Sequence, residues 1–72
     1  MKVFNSKEFG NAIKARRKVL GYTQKNLSEF TGYSTSFISE LENGKPTIEL
    51  DRALRLANLL GIDLSLEVRG EK

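Results

Sequence analysis

The sequence has 72 residues, with 12 Lys and Arg, 9 Asp and Glu, and a formal net charge of +3. A chain of this length predicts one domain, residues 1–72, with a thin core, because so small a protein buries only about 60% of its unfolded surface. It contains no Cys and no His, which excludes disulfide bonds and removes the usual metal ligands, nucleophiles and general bases. We therefore expect neither an enzyme nor a protein that needs a metal or a cofactor.

The hydropathy and charge of the sequence limit where the protein can reside in the cell and what it can bind. No segment approaches the roughly 20 apolar residues of a membrane span, and the N-terminus lacks the apolar core of a signal peptide. We therefore expect a cytoplasmic protein with no membrane partner. The mildly basic charge is compatible with a nucleic-acid partner. A thin domain without cross-links often gains stability by pairing with a second chain, which favours a dimer.

The first predicted helix spans about residues 6–20. Asn5, with Glu8 three residues later, is typical of a capping box at a helix start. Apolar residues then recur at helical spacing, and Gly21 ends the helix.

The second predicted helix spans about residues 24–31. Thr23 is a favourable N-cap, and Gly32 ends the helix. Leu27 and Phe30 are three residues apart, so we expect them to share one apolar face.

The third predicted helix spans about residues 35–42. Ser34 is its N-cap, and Ile38 and Leu41 form its buried side. Asn43-Gly44 ends it, because both residues tolerate a left-handed backbone.

The fourth predicted helix spans about residues 48–60, with Thr47 as its N-cap and Gly61 after its last turn. Its apolar stripe comprises Leu50, Ala53, Leu54, Ala57 and Leu60. Leu56 and Leu59 widen this stripe beyond what a thin core needs, so we expect them to be available to a second chain.

The hydrophobic period changes after the fourth helix. Apolar and polar residues alternate over about residues 63–68, which predicts a β-strand. A lone strand leaves its backbone groups unpaired, so we expect it to pair antiparallel with its own copy about a twofold axis. The other candidate for pairing is Met1–Phe4, which is short and does not alternate. The predicted dimer interface comprises Leu56, Leu59, Ile62, Leu64, Leu66 and Val68.

The second and third helices, joined by a turn, have the layout of a helix-turn-helix. The motif comprises Gly21-Tyr22-Thr23-Gln24, Leu27, Gly32, Ser36-Phe37-Ile38-Ser39 and Leu41-Glu42-Asn43-Gly44-Lys45-Pro46. With these residues, the sequence from about Ser6 to Ile62 resembles the phage-repressor (Xre/Cro-like) helix-turn-helix family. The resemblance implies an all-α fold, here a compact four-helix lambda-repressor-like domain with a short C-terminal β-strand. It also implies a transcriptional repressor that binds double-stranded DNA.

The predicted DNA contacts begin at the third helix. Its first side chains point away from Ile38 and Leu41, and short hydroxyl groups there let the helix approach base edges closely. The resemblance implies a phosphate contact for Gln24, and the residues that follow the third helix are expected to face neighbouring phosphates. The full set comprises Gln24, Ser34, Thr35, Ser36, Ser39, Glu40, Asn43 and Lys45.

The sequence leaves two interpretations open for the role of Glu40 and two for the role of Phe37. Glu40 either accepts a hydrogen bond from a cytosine amino group or is only solvated, since many relatives carry Gln or Arg there and a carboxylate repels phosphate. Phe37 either contacts a thymine methyl or sugar edge or packs in the core against Leu27 or Phe30. The core is the favoured place for Phe37.

The resemblance also implies a partly buried salt bridge between Arg17 on the first helix and Glu42 at the end of the third. Its role is structural, so Arg17 is discounted from the charge available to DNA, although it lies in the densest basic cluster, residues 14–18.

The ending GIDLSLEVRG, together with GKPTIELDRALRLANLLGIDL, resembles the HipB-type antitoxins. This resemblance implies a C-terminal strand that completes a homodimer and a HipA-like serine/threonine kinase toxin as partner. We expect the complex to autoregulate its operon, and the twofold dimer to bind a palindromic operator. The alternatives are a stand-alone Xre-type transcriptional regulator and a small helical protein-interaction domain that does not bind DNA.

Overall fold

The computed structural model describes residues 2–70, in which four helices follow one another: α1 (Ser6–Val19), α2 (Gln24–Thr31), α3 (Thr35–Glu42) and α4 (Leu50–Leu59). The predicted all-α, four-helix architecture is confirmed. The ends of the predicted domain, at residue 1 and residues 71–72, lie outside the described residues, so the domain bounds remain a prediction.

The first three helices begin where local side chains satisfy their free amides. The Asn5 side chain accepts from the Glu8 amide at 2.8 Å, and the Glu8 carboxylate accepts from the Phe4 amide at 2.7 Å. Thr23 Oγ1 accepts from the Asn26 amide at 3.0 Å, and Asn26 Oδ1 accepts from the Thr23 amide at 3.1 Å. These caps explain why the predicted starts of α1 and α2 agree with the structure.

The predicted start of α4 is wrong by two residues. The chain turns over residues 45–48, where the Ile48 amide donates to the Lys45 carbonyl at 3.3 Å, so Thr47 lies in a turn. Glu49 occupies the N-cap position without a side-chain capping bond. Asp51, in the first turn, supplies the negative charge that a helix N-terminus favours.

The core is built from all four helices, each of which contributes at least one fully buried side chain. Leu56 is 0% exposed, so the interpretation of Leu56 as surplus to the core is wrong; it is already fully packed within one chain. Leu59 is exposed, as expected of a residue outside the core. The core comprises Ile13, Leu27, Ile38, Leu41, Ala53, Leu56, Ala57 and Leu60.

Other apolar residues predicted to be buried lie on the surface. Phe30 is 64% exposed, because only Leu27 on that helix turn faces the core, and its ring instead stacks on Tyr22 with centroids 6.2 Å apart. Leu50 and Leu54, placed in the α4 stripe by their spacing, are also exposed.

Helix α1 crosses the end of α3 at a glycine. A Cβ at Gly10 would overlap the Leu41 carbonyl oxygen and lie 2.8 Å from the Glu42 carbonyl oxygen. The absence of a side chain at this position therefore sets how closely the two helices approach.

Gly10→Ala should lower the free energy of unfolding by about 1–3 kcal/mol, because the new methyl group meets backbone oxygens that cannot move aside. In an unconstrained helix the same change is stabilising by about 0.5–1 kcal/mol, so the sign of the effect is diagnostic. Urea denaturation measures it. A more stable Gly10→Ala protein would contradict the close crossing.

The predicted C-terminal strand does not form within residues 2–70. After α4 the Ile62 amide donates to the Ala57 carbonyl at 2.9 Å, and residues 62–68 then continue without a backbone ladder. The part of the chain that the structure describes offers no second strand, and a strand requires one. Ile62 packs partly against the core, whereas Leu64, Leu66 and Val68 are exposed.

Candidate nucleic-acid interface

The turn between α2 and α3 is fixed by hydrogen bonds from its own residues. The Gly32 amide donates to the Ser28 carbonyl at 2.8 Å, and the Ser28 hydroxyl donates to the Tyr33 carbonyl at 2.6 Å. Thr31 Oγ1 accepts from the Tyr33 amide at 3.2 Å. These bonds set the direction in which α3 leaves the turn.

One side of α3 is held in the core, and this determines what the other side presents. Ile38 is 0% exposed, and Leu41 is also buried. Successive helical residues turn by about 100°, so Ser36, Ser39 and Glu40 lie on the side opposite Ile38 and Leu41, and Thr35 lies at the margin of that side in the first turn. Thr35, Ser36 and Glu40 are accordingly exposed, and Ser39 is half-buried.

Most of the predicted DNA contacts line one shallow, open concavity, of about 350 Å³, between the start of α2 and the outer face of α3. Every lining side chain ends in a hydroxyl, an amide or a carboxylate. We call this set the recognition surface; it comprises Gln24, Thr35, Ser36, Ser39 and Glu40.

Three predicted contacts lie outside the recognition surface, at the ends of α3. Ser34 is the N-cap, and its hydroxyl oxygen accepts from the Phe37 amide at 3.0 Å. Asn43 is the C-cap, and its side-chain amide donates to the Ser39 hydroxyl at 3.4 Å. Lys45 follows the helix and is exposed.

The C-terminus of α3 is closed by a left-handed glycine. Gly44 has φ +82°, its amide donates to the Leu41 carbonyl at 3.0 Å, and the Lys45 amide donates to the Glu40 carbonyl at 3.0 Å. These two hydrogen bonds together form the Schellman motif. It brings the Lys45 ammonium to 3.4 Å from the Glu40 carboxylate, an ion pair that sequence reasoning missed.

The predicted salt bridge between Arg17 and Glu42 is present and buried. Arg17 Nε lies 2.7 Å from Glu42 Oε2, and the two side chains are 9% and 1% exposed. The second guanidinium nitrogen donates to Glu42 Oε1 at 3.0 Å, and the third donates to the Tyr22 carbonyl at 2.7 Å. The hydrogen bond to Glu42 raises the pKa of Arg17 above its ordinary value, against the opposing effect of burial.

Gln24 belongs to the same network. Its Nε2 atom donates to Glu42 Oε1 at 3.1 Å, which ties the start of α2 to the end of α3. The side chain is half-buried and still lines the recognition surface. Gln24 is thus held in a fixed orientation at the edge of the surface.

Phe37 is half-buried and packs against the core rather than standing free on α3. Its ring contacts Tyr33, with centroids 5.3 Å apart, and the core cluster against which it packs includes Leu27. The structure thus agrees with the favoured interpretation of Phe37 but supplies a different aromatic partner.

The basic cluster on α1 offers less charge than its sequence indicates. Arg17 is neutralised by Glu42, and Arg16 Nε donates to the Leu60 carbonyl at 2.8 Å, where it caps the end of α4. Lys14 and Lys18 are exposed. Much of the cluster therefore has a structural role.

Two short helices joined by a fixed turn, the second anchored on one side and polar on the other, define a helix-turn-helix domain. In such domains the second helix enters the DNA major groove. Residues 13–66 match the Helix-turn-helix family. The chain therefore belongs to this family of DNA-binding transcriptional regulators, and the predicted family is confirmed.

Relatives carry names of the same kind. The chain is 29% identical over 65 residues to the uncharacterized HTH-type transcriptional regulator y4mF of Sinorhizobium fredii, covering 90% of this chain and 86% of y4mF. It is also 29% identical over 62 residues to the SPbeta prophage-derived uncharacterized HTH-type transcriptional regulator YonR of Bacillus subtilis, covering 86% of this chain and 57% of YonR.

Solved structures resemble the chain over nearly its whole length. A chain of the HipB–O4 20mer complex superposes with a TM-score of 0.84 at 25% identity, covering 96% of this chain and 97% of that one. A chain of the HipA–HipB–O2–O3 complex gives the same TM-score of 0.84, identity of 25% and coverage of 96% and 97%.

No helix within residues 2–70 is both long enough and apolar enough to cross a membrane.

Proposed function

We propose that this protein is a sequence-specific transcriptional repressor that contacts the bases of duplex DNA through α3. The observation that carries the proposal is the recognition surface, where hydroxyl groups on the outer side of α3 lie beside the Gln24 amide of α2 while the other side of α3 is fixed in the core. The major groove of B-DNA is about 12 Å wide and admits one α-helix. Helix α3 begins and ends at capping residues, Ser34 and Asn43, so its bounds are fixed by local hydrogen bonds.

The roles of individual residues follow from their chemistry. The hydroxyls of Thr35, Ser36 and Ser39 both donate and accept, so they bond to many base edges. Gln24, Asn43 and Lys45 stand at the margins, where the DNA backbone would pass, and are assigned to phosphates. Ser34 contributes mainly by fixing the start of α3, because its hydroxyl oxygen already accepts from the Phe37 amide.

Thr35→Ala combined with Ser36→Ala should reduce the preference for the selected operator over random DNA by about 1–3 kcal/mol, because base contacts are lost while phosphate contacts remain. Both residues are exposed and neither is a cap, so folding is preserved. Fluorescence anisotropy with both DNAs measures the ratio.

The matched control is Thr47→Ala combined with Ser65→Ala, which removes two exposed hydroxyl groups outside α3 and outside the recognition surface. It should leave the ratio unchanged. If the α3 variant also leaves operator preference unchanged, α3 is not the helix that contacts the bases.

We further propose that the repressor is a homodimer on a palindromic operator. The support is apolar surface that one chain leaves uncovered: Leu59, Leu64, Leu66 and Val68 are exposed, three of them at alternate positions of the tail. Two tails pairing antiparallel about a twofold axis would bury this surface and satisfy the backbone. Such a dimer presents two copies of α3 about one DNA turn, roughly 34 Å, apart.

The finer proposal is that the protein is the antitoxin of a HipBA-type toxin–antitoxin pair, which autoregulates its operon and binds a HipA-like serine/threonine kinase. The support is the likeness to chains of HipB complexes over almost the whole sequence, tail included. The kinase would bind a face turned away from DNA, including parts of α1 and α4.

Co-expression with the product of the neighbouring gene tests the antitoxin proposal. The expected result is a stable complex with a kinase-like protein that represses its own promoter more strongly than the dimer alone. A neighbouring gene unrelated to kinases, with no stable complex, would leave a stand-alone regulator of the same family.

A further inference from the structure

The recognition surface contains a single carboxylate, that of Glu40. The other lining groups are hydroxyls and an amide, each of which both donates and accepts hydrogen bonds. An ionised carboxylate only accepts. Glu40 is thus the one lining residue that distinguishes a donor from an acceptor on the DNA.

The surroundings of Glu40 allow an acidic group to lie near DNA. Lys45 lies 3.4 Å from its carboxylate, and the two side chains are 51% and 44% exposed for Glu40 and Lys45 respectively. An exposed pair of this kind is weak and exchanges readily. Lys45 therefore offsets the repulsion between Glu40 and phosphate, and it can turn to a phosphate while Glu40 turns to a base.

The base edges differ in what they offer a carboxylate. Guanine and thymine present only acceptors in the major groove, apart from the thymine methyl, and repel it. Adenine presents an amino donor beside the N7 acceptor, so one carboxylate oxygen is satisfied and the other is repelled. Cytosine presents its N4 amino donor with no acceptor on the same base in that groove.

We propose that Glu40 determines specificity by requiring a cytosine at one position of each operator half-site. The inference rests on the proposed DNA-binding function and identifies one base of the DNA that this surface selects. Replacing that cytosine with guanine or thymine should weaken binding about 5- to 150-fold, the range expected for one good base contact.

Selection from a pool of random duplexes tests the proposal with the full chain. Wild type should enrich a half-site with an invariant cytosine. Glu40→Gln should change that one position to adenine, because a glutamine amide pairs with both N6 and N7 of adenine. Glu40→Ala should lose preference at that position and keep all the others.

The matched control is Glu29→Gln, which removes an exposed carboxylate from α2 outside the recognition surface and should enrich the wild-type sequence. If wild type and both Glu40 variants enrich the same base at every position, DNA binding stands and the role of Glu40 is overturned. If no protein enriches any sequence, the proposed function fails, and this inference fails with it.

Discussion

Glu42→Ala is expected to lower the free energy of unfolding by about 3–5 kcal/mol, the cost of leaving one member of a buried ion pair without its partner. The Arg17 side chain is 9% exposed and would lose two hydrogen bonds to the carboxylate, and Gln24 would lose its acceptor. Urea denaturation at a fixed protein concentration measures the change, since a dimer's stability depends on concentration.

The chain offers a matched control on the same helix. Glu40→Ala also removes a carboxylate from an ion pair, but this pair is about half exposed, so the expected loss is below about 1 kcal/mol. The double variant Arg17→Met with Glu42→Leu should recover most of the stability, because no buried charge is left unpaired. Similar small losses for Glu42→Ala and Glu40→Ala would contradict a structural role for the buried pair.

Leu66→Lys is expected to convert the proposed dimer into monomers and to weaken operator binding at least about 100-fold, because linked half-site contacts typically gain a factor of 10² to 10⁴. Leu66 is fully exposed in the single chain, so the monomer fold should not change. Sedimentation measures the oligomeric state, and anisotropy measures the affinity. Ending the chain at Gly61 should have the same effect.

The control is Ser65→Lys, which adds the same charge one residue earlier, where the side chain would face the other side of the proposed strand. It should remain dimeric and bind the operator at least as tightly as wild type. If the chain that ends at Gly61 is still a dimer at micromolar concentration, the tail is not the interface. Pairing through Met1–Phe4 then becomes the better account; of that segment, Met1 lies outside the described residues.

The sequence predicts the first three helices well because their starts depend on local chemistry. Asn5, Thr23 and Ser34 each cap a helix by accepting a hydrogen bond from an amide three residues later. No equivalent bond exists at α4, where Thr47 has the right chemistry but lies in a turn. A favourable capping residue therefore does not specify a helix start when the backbone around it has another conformation.

Helical spacing alone could not separate core residues from surface residues on an apolar helix. Helix α4 carries more leucines than one chain buries, and the spacing did not reveal that Leu56 faces inward while Leu50 and Leu54 face outward. That assignment depends on how the helices pack in three dimensions. The close crossing of α1 and α3 at Gly10 likewise has no signal in the periodicity.

The sequence predicts which residues line the recognition surface better than it predicts the hydrogen bonds and ion pairs that these residues make. The outward direction of Thr35, Ser36 and Glu40 follows from the buried side of α3. The bond from Gln24 to Glu42 joins residues 18 apart in sequence, so spacing could not show it. The Glu40–Lys45 ion pair could have been predicted from the sequence, because a glycine after a helix predicts the Schellman motif that brings the two residues together.

The most direct test of the central claim is nuclear magnetic resonance of the ¹⁵N-labelled protein titrated with duplex DNA at low salt. We expect the largest changes in amide chemical shift at Gln24, residues 34–40 and residues 43–45. These changes should reverse as salt is added, because phosphate contacts release counterions and added salt therefore weakens DNA binding. Changes confined to α4 and the tail, or no changes at any DNA concentration, would contradict the claim that α3 and its flanking residues bind DNA.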